Sequence, residues 1–352
     1  MPGAARTYLE TYSPCLGVTM LRLHISSMGD GFHDAHMDGM REMVKNWLAN
    51  SEIVEYFLWF YTPMALPLAT GLAPIGEIYD CMDELAAFDF AAPELIARED
   101  ILFDRVNLVF TGGRSLYESK RDRHHDVHCF PSSVDHAHFG RASVPDHPDQ
   151  AALPHPRLGY YGVIDERIDL ALVAAVADAH PHWQVVMVGP LAKIAPGGLP
   201  QRPNLHWMGQ RRYDELPAFL AGLDVCLMPF ALNASTRFIS PTKTLEYLAA
   251  GKPVVSTPIH DVVHQYAQIV ALGQTPQAFV AACDVILGQN VEEQERFRKA
   301  AAAVVSATSW DCTASAMGAL LMRLESSELL IDQTLPNRMP AFAQLPSHSV
   351  VD

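Results

Sequence analysis

The segment Thr236 to Pro258, Thr-Arg-Phe-Ile-Ser-Pro-Thr-Lys-Thr-Leu-Glu-Tyr-Leu-Ala-Ala-Gly-Lys-Pro-Val-Val-Ser-Thr-Pro, concentrates the residues best suited to hold an anion. Ser240 is a natural helix N-cap, Pro241 suits a first helical position and Gly251 stands just past the last turn. A helix over Pro241–Ala250 is therefore bounded at both ends. It follows a strand ending at Met228, which aims its N-terminal N–H groups into the crevice at the carboxyl edge of a parallel sheet. Lys243 lies in the first turn, where the dipole makes a cation cost about 0.3–1 kcal/mol. Arg237 precedes the cap, and no carboxylate lies between Ala231 and Leu245. The two cations flanking a helix N-terminus point to a bound phosphate or diphosphate; the alternative is a solvated lysine whose carboxylate partner comes from elsewhere in the fold. Glu246 shares a helical face with Lys243. It suits either a carboxylate accepting from ribose hydroxyls or a simple Lys–Glu pair worth about 0.2–0.5 kcal/mol.

The rest of the chain must position that segment. Its 352 residues, about twice a typical domain, predict two domains. A hydrophobic fraction of 49% with 18% charged residues excludes a disordered chain. The net charge of −15 repels nucleic acid and anionic lipid, so no nucleic acid is expected as a partner and any anion site must be compact. The six scattered cysteines form neither a metal pair nor a disulfide framework, and no basic-then-apolar leader opens the chain. A cytoplasmic setting is the expectation. Tyr56 to Gly76 is uncharged but interrupted by Pro63, Pro67 and Pro74, and reads as buried strand, turn and short helix.

Strands are expected at Val18–His24, Ile53–Tyr61, Glu77–Tyr79, Leu108–Thr111 and Val127–Pro131, with helical patterns at Asp34–Leu48, Pro93–Phe103 and Ser115–Arg121. A proline-rich connector, Ser143 to Pro156, separates this α/β rhythm from a second one. There strands at Arg157–Tyr161, Trp183–Val188, Asn204–Met208, Asp224–Met228 and Pro253–Ser256 alternate with helices at Ile168–Ala179, Tyr213–Ala221 and Pro241–Ala250. The division is residues 1–150, 151–330 with C-terminal helices, and a loose tail over 331–352. Met1 to Leu16 is polar and short of β-branched residues, so the first domain reads as clipped at its start, without its first strand.

The run Ser-Pro-Thr-Lys-Thr-Leu-Glu-Tyr-Leu-Ala-Ala-Gly-Lys-Pro-Val-Val-Ser resembles the donor-binding helix of GT-B glycosyltransferases. The surrounding sequence resembles their bacterial cell-surface polysaccharide subgroup, including teichuronic-acid-type transferases. The likeness takes in Tyr79 to Leu85, Phe110 to Glu118, Phe130 to Asp135 and Gly162 to Arg167, and covers roughly Glu52 to Pro258. It implies two Rossmann-like doubly wound domains facing across a cleft, an acceptor domain followed by a nucleotide-sugar donor domain. By this resemblance Glu246 binds the ribose, Thr242 and Lys243 with the helix N-terminus cradle the diphosphate, and Arg167, five residues after Gly162, supplies a second cation. The donor set is then Gly162, Arg167, Arg237, Ser240, Pro241, Thr242, Lys243 and Glu246. Many members carry a further glutamate where this chain has Phe238.

An inverting enzyme of this kind needs a base on the acceptor side. Tyr79 ends a short strand, so Asp80, Asp83 and Glu84 fall at the carboxyl edge of the first sheet. Asp83 is the first choice for the base and Asp80 the second, with turn capping as the alternative for either. Thr111-Gly112-Gly113 precedes an apparent capping box, Ser115 to Glu118, and Gly112 and Gly113 leave room for an acceptor to approach the backbone. Ser132 and Ser133 are further cleft contacts, and Glu84 completes the acceptor side. The histidines lack zinc-site spacing and no donor-half Asp-x-Asp is present, so neither metal nor cofactor is expected. The function expected is metal-independent sugar transfer to a cell-envelope or exopolysaccharide acceptor, saccharide or lipid-linked. The latter would allow peripheral membrane contact at the inner face, though no amphipathic basic helix supports it. A sugar-nucleotide 2-epimerase and a non-catalytic nucleotide-binding remnant are the alternatives. A dehydrogenase is disfavoured because no G-x-G-x-x-G follows a strand.

Overall fold

The computed structural model describes residues 7–26, 31–88, 91–141 and 143–334. The chain opens with β1 (Tyr8–Cys15) and β2 (Val18–His24), an antiparallel hairpin turning at Gly17. This corrects two expectations: Val18–His24 is not a strand of the parallel sheet, and the segment read as lacking strand character forms β1. After α1 (Asp34–Asn50) come β3 (Phe57–Phe60), a 3₁₀ turn over Pro63–Ala69, β4 (Gly76–Cys81), α2 (Leu95–Arg105), β5 (Leu108–Thr111), α3 (Arg114–Lys120) and β6 (Val127–Cys129). The Thr62 hydroxyl accepts from the Met64 N–H and caps the 3₁₀ turn. Short helices α4 (His136–Phe139) and α5 (Pro148–Ala151) lead to β7 (Arg157–Tyr161), α6 (Leu170–Ala179), β8 (Gln184–Val188), β9 (Leu205–Gly209), α7 (Leu216–Ala221) and β10 (Val225–Met228). Then follow α8 (Lys243–Ala249), β11 (Val254–Ser256), α9 (His260–Tyr266), β12 (Ala271–Leu272), α10 (Pro276–Leu287), α11 (Val291–Ser306) and α12 (Trp310–Thr334).

The strands form two parallel sheets, β3-β4-β5-β6 and β12-β11-β10-β7-β8-β9. Strands β4, β5, β7, β8 and β10 are buried along their whole length, as apolar strands covered on both faces must be. In the second sheet the strand order reverses between β7 and β10, the switch point where open α/β sheets bind ligands beyond the strand ends.

Side-chain alternation divides β4 and β5 between two cores. Tyr79, Cys81 and Val109 face Leu102 and Phe103 of α2 and Leu116 of α3, while Ile78, Leu108 and Phe110 face the other way. That second face is covered by Met317, Leu320, Leu321 and Leu324 of α12. The expectation that the C-terminal helices all belong to the second domain is thereby corrected, because the apolar stripe of α12 completes the first sheet. Arg323 also pairs with Asp126, 2.8 Å away, beside β6. The helix runs to Thr334, four residues into the expected tail; the remainder of that tail, 335–352, lies outside the described residues.

Leu321→Ala, which removes half-buried cover from β4 and β5, lowers the unfolding free energy by about 1–2 kcal/mol, whereas Met322→Ala on the exposed face of the same helix stays within about 0.5 kcal/mol. Urea denaturation of both variants measures the contrast.

Candidate functional site

A cavity of about 230 Å³ opens between the carboxyl edges of the two sheets. The first sheet contributes Met82 and Asp83 after β4, Gly112 after β5 and Ser132 after β6. The second contributes Tyr160 at the end of β7, Val163 and Arg167 beyond it, Phe230 after β10, and the run Ile239 to Lys243 that enters α8. Residues far apart in sequence, Asp83, Gly112, Ser132, Arg167, Ser240, Pro241, Thr242 and Lys243, thus line one cavity.

Helix α8 starts at Lys243 rather than Pro241, and Ser240 caps nothing; its side chain packs against Gly113 instead. The C-terminus matches expectation, with Gly251 at φ +67 in the left-handed conformation that ends a helix. The first turn closes through Pro241 and Thr242 carbonyls, leaving the Thr242 and Lys243 amides without a hydrogen bond among the described residues. The Lys243 ammonium lies 5.6 Å from the Tyr160 ring centroid and has no carboxylate within ion-pair distance among the described residues. The carboxylate partner that the alternative reading of Lys243 requires is not within ion-pair distance among the described residues. Burial lowers its pKa, with Glu246 opposing and Arg167 reinforcing the shift. Gly162 makes this placement possible: at φ +142 it adopts backbone that side chains rarely allow, and a Cβ there would stand 2.3 Å from Lys243 Cε.

Arg167 is held by a fork with Asp165, Nη2 donating to Oδ2 at 2.7 Å and Nε to Oδ1 at 3.0 Å. That hydrogen bonding raises its already high pKa. Glu246 is not among the residues lining the cavity, and its Oε2 accepts from the Tyr161 hydroxyl at 2.5 Å. Burial raises the Glu246 pKa, against the Tyr161 hydrogen bond and the Lys243 charge. Arg237 is exposed, stacks at 5.1 Å on Phe238, and does not line the cavity.

The two acidic candidates separate by strand face. Asp83 lines the cavity, and its carboxylate has neither hydrogen bond nor ion pair among the described residues. Burial raises its pKa and the facing Arg167 lowers it. Asp80 points to the α12 side of β4, 3% exposed, where Oδ2 accepts from the Trp59 indole at 3.0 Å and Oδ1 has no partner. Glu84 is committed elsewhere: it pairs at 2.8 Å with the buried Lys120, which also holds Glu99. Ser133 is buried outside the lining, its hydroxyl unpartnered. Gly113 lies at the seam between the domains. The expected Ser115–Glu118 capping box does not form, since Glu118 pairs with Arg114 and the Ser115 amide is bonded to Asp261. Sequence reasoning missed Asp165, Tyr161 and Tyr160, although an aspartate two residues before Arg167 was a usable signal.

Two parallel α/β sheets facing across a cleft define the GT-B class of folds. Residues 155–289, most of the second domain, match the family described as Glycosyl transferases group 1. TuaH of Bacillus subtilis strain 168, named for teichuronic acid biosynthesis as a glycosyltransferase, is 26% identical over 282 residues, spanning 72% of this chain and 69% of its own. Among solved structures, the Escherichia coli trehalose-6-phosphate protein bound with UDP-2-fluoro glucose superposes with a TM-score of 0.67 at 12% identity, covering 92% of this chain and 90% of its own. Anabaena Alr3699/HepE in complex with UDP-glucose gives 0.63 at 13% identity, over 80% and 82%. Sucrose-phosphate synthase of Thermosynechococcus elongatus gives 0.63 at 16%, over 83% and 79%.

Glu246→Gln keeps an acceptor for Tyr161 and removes a buried charge. Because the folded pKa of Glu246 is raised, the wild-type side chain costs stability once pH passes above the ordinary carboxylate range and costs none when protonated in both states. The variant therefore melts higher than wild type at pH 7, and the gain vanishes toward pH 3. Calorimetric melts across that range measure it.

Proposed function

We propose that this protein transfers a sugar from a nucleoside-diphosphate sugar to a saccharide acceptor of a cell-envelope polymer. The observation that carries the reading is Lys243, an unneutralised cation in a cavity that also holds Arg167 and, on the opposite wall, the unpaired carboxylate of Asp83. In a chain of net charge −15, such a site selects a compact anion. TuaH, by its name, supports the polymer class of the acceptor, and the UDP-sugar complexes of the structural neighbours support the donor class.

In this reading the second domain holds the donor and the first the acceptor. Asp83 takes the proton from the acceptor hydroxyl as that oxygen bonds to the anomeric carbon. The bond from that carbon to the diphosphate oxygen breaks with its electron pair going to the diphosphate, whose growing charge is met by Lys243, Arg167 and the free amides of Thr242 and Lys243. Glu246, one turn further along α8, is the ribose ligand; its Oε1 remains available while Oε2 is tied to Tyr161.

Calorimetric titration with UDP, GDP and ADP tests the donor site: one nucleotide binds, and Lys243→Ala weakens it by about 1.5–3 kcal/mol, the worth of a hydrogen bond to a charged group. Unchanged affinity removes Lys243 from the diphosphate.

Asp83→Asn abolishes transfer with nucleotide affinity retained. The pH profile gives an independent reading, because the base must be ionised: activity falls as pH drops through an Asp83 pKa that burial holds above the usual carboxylate range. Arg167→Gln removes the charge that opposes this shift, so the acid limb of the residual activity moves to higher pH. A limb that stays in place argues against Asp83 as the titrating group.

A further inference from the structure

We propose that Asp261 is an interdomain positioning residue: from the second domain it caps helix α3 of the first, and with Gly113 it fixes the separation of the two lips of the cleft. The catalytic consequence rests on the transferase reading above; the structural one does not.

Asp261 is the second residue of α9 and is 1% exposed. Its Oδ2 accepts from the Arg114 N–H and its Oδ1 from the Ser115 N–H, each at 2.9 Å. These are the first two amides of α3, whose own N-cap, Gly113, has no side chain to offer them. Helix caps are ordinarily local. Here the acceptor comes from 147 residues away, across the cleft, so the N-terminus of α3 is satisfied only while the domains are together. The same holds in reverse, because a carboxylate this buried is tolerable only while both oxygens are bonded.

Gly113 makes the approach possible. Its φ of −172 is extended backbone that any residue adopts, so conformation does not demand glycine. Space does: a Cβ would stand 2.4 Å from Asp261 Oδ2 and 2.8 Å from Ser240 Cβ. Ser240 lines the cavity on the donor side and Gly112, the neighbour of Gly113, lines it on the acceptor side. The seam therefore sets how far Asp83 stands from the Lys243 turn. His260 bridges the rim, with Nδ1 3.3 Å from Asp261 Oδ1 and Nε2 3.8 Å from Glu118 Oε2. Phe238 packs onto the apolar cluster of the first domain and extends the contact.

Two substitutions probe the seam from opposite sides in the full chain. In Asp261→Ala, hydrogen exchange at the Arg114 and Ser115 amides accelerates about tenfold or more and the radius of gyration from solution scattering increases. The kcat for transfer falls about tenfold while the Kd for UDP stays within twofold. Gly113→Ala reproduces the kcat loss, and the double variant loses less than the product of the two, as residues sharing one contact do. Asp261→Asn, which keeps one acceptor and the shape, gives intermediate exchange and guards against a simple failure to fold. Wild-type exchange and radius in Asp261→Ala overturn the proposal, as does a loss of UDP affinity equal to the loss of kcat. If the wild type transfers no sugar, exchange and scattering still decide the seam, so its failure and that of the transferase reading are distinguishable.

Discussion

An uncompensated ammonium inside a cavity is the constraint around which the rest of the site is arranged. Lys243 would be expected to recruit a carboxylate, and two lie close enough to influence it electrostatically, Glu246 and Asp165. Both are drawn off: Glu246 by the Tyr161 hydroxyl, Asp165 by the Arg167 guanidinium. Gly162 clears the space the lysine stem crosses and Tyr160 offers its ring face in place of an anion. The outcome is a pocket that keeps unneutralised positive charge in a chain whose overall charge repels anions.

Compactness follows from the topology. The cations come from the loop after β7 and from α8, the helix after β10, which flank the point where the second sheet reverses its strand order. Opposite them, parallel strands β4, β5 and β6 end at one edge, so Asp83, Gly112 and Ser132 reach the same opening without a long loop among them.

Much of this was legible where the signal was local. The first-turn lysine, the proline before it and the glycine after the last turn located α8 to within two residues, and alternating apolar runs located all ten strands of the two parallel sheets except the short β12. What escaped the sequence was set at a distance. Asp80 and Asp83 are both acids at a strand end, and only the alternation of β4 decides that Asp80 faces Trp59 while Asp83 clears the edge. Glu84 is taken up by a lysine 36 residues on, and the cap of α3 by an aspartate on another domain. The hairpin at the start pairs strands with each other rather than with a sheet, an arrangement its alternation alone does not distinguish from a sheet strand.

The distance of these determinants has a mechanical meaning. The chain crosses between domains twice, once between β6 and β7 and again when α12 returns to the first sheet. Strand β4, which carries Asp83 at its end, is therefore gripped on one face by α2 and on the other by the last described helix. A proton acceptor must stay within hydrogen-bond reach of its substrate, and small displacements cost disproportionately in rate. The first domain achieves that with only four parallel strands because α12 supplies the cover that its own residues do not. The position of Asp83 then depends on the packing of Leu320, Leu321 and Leu324 as much as on its own loop.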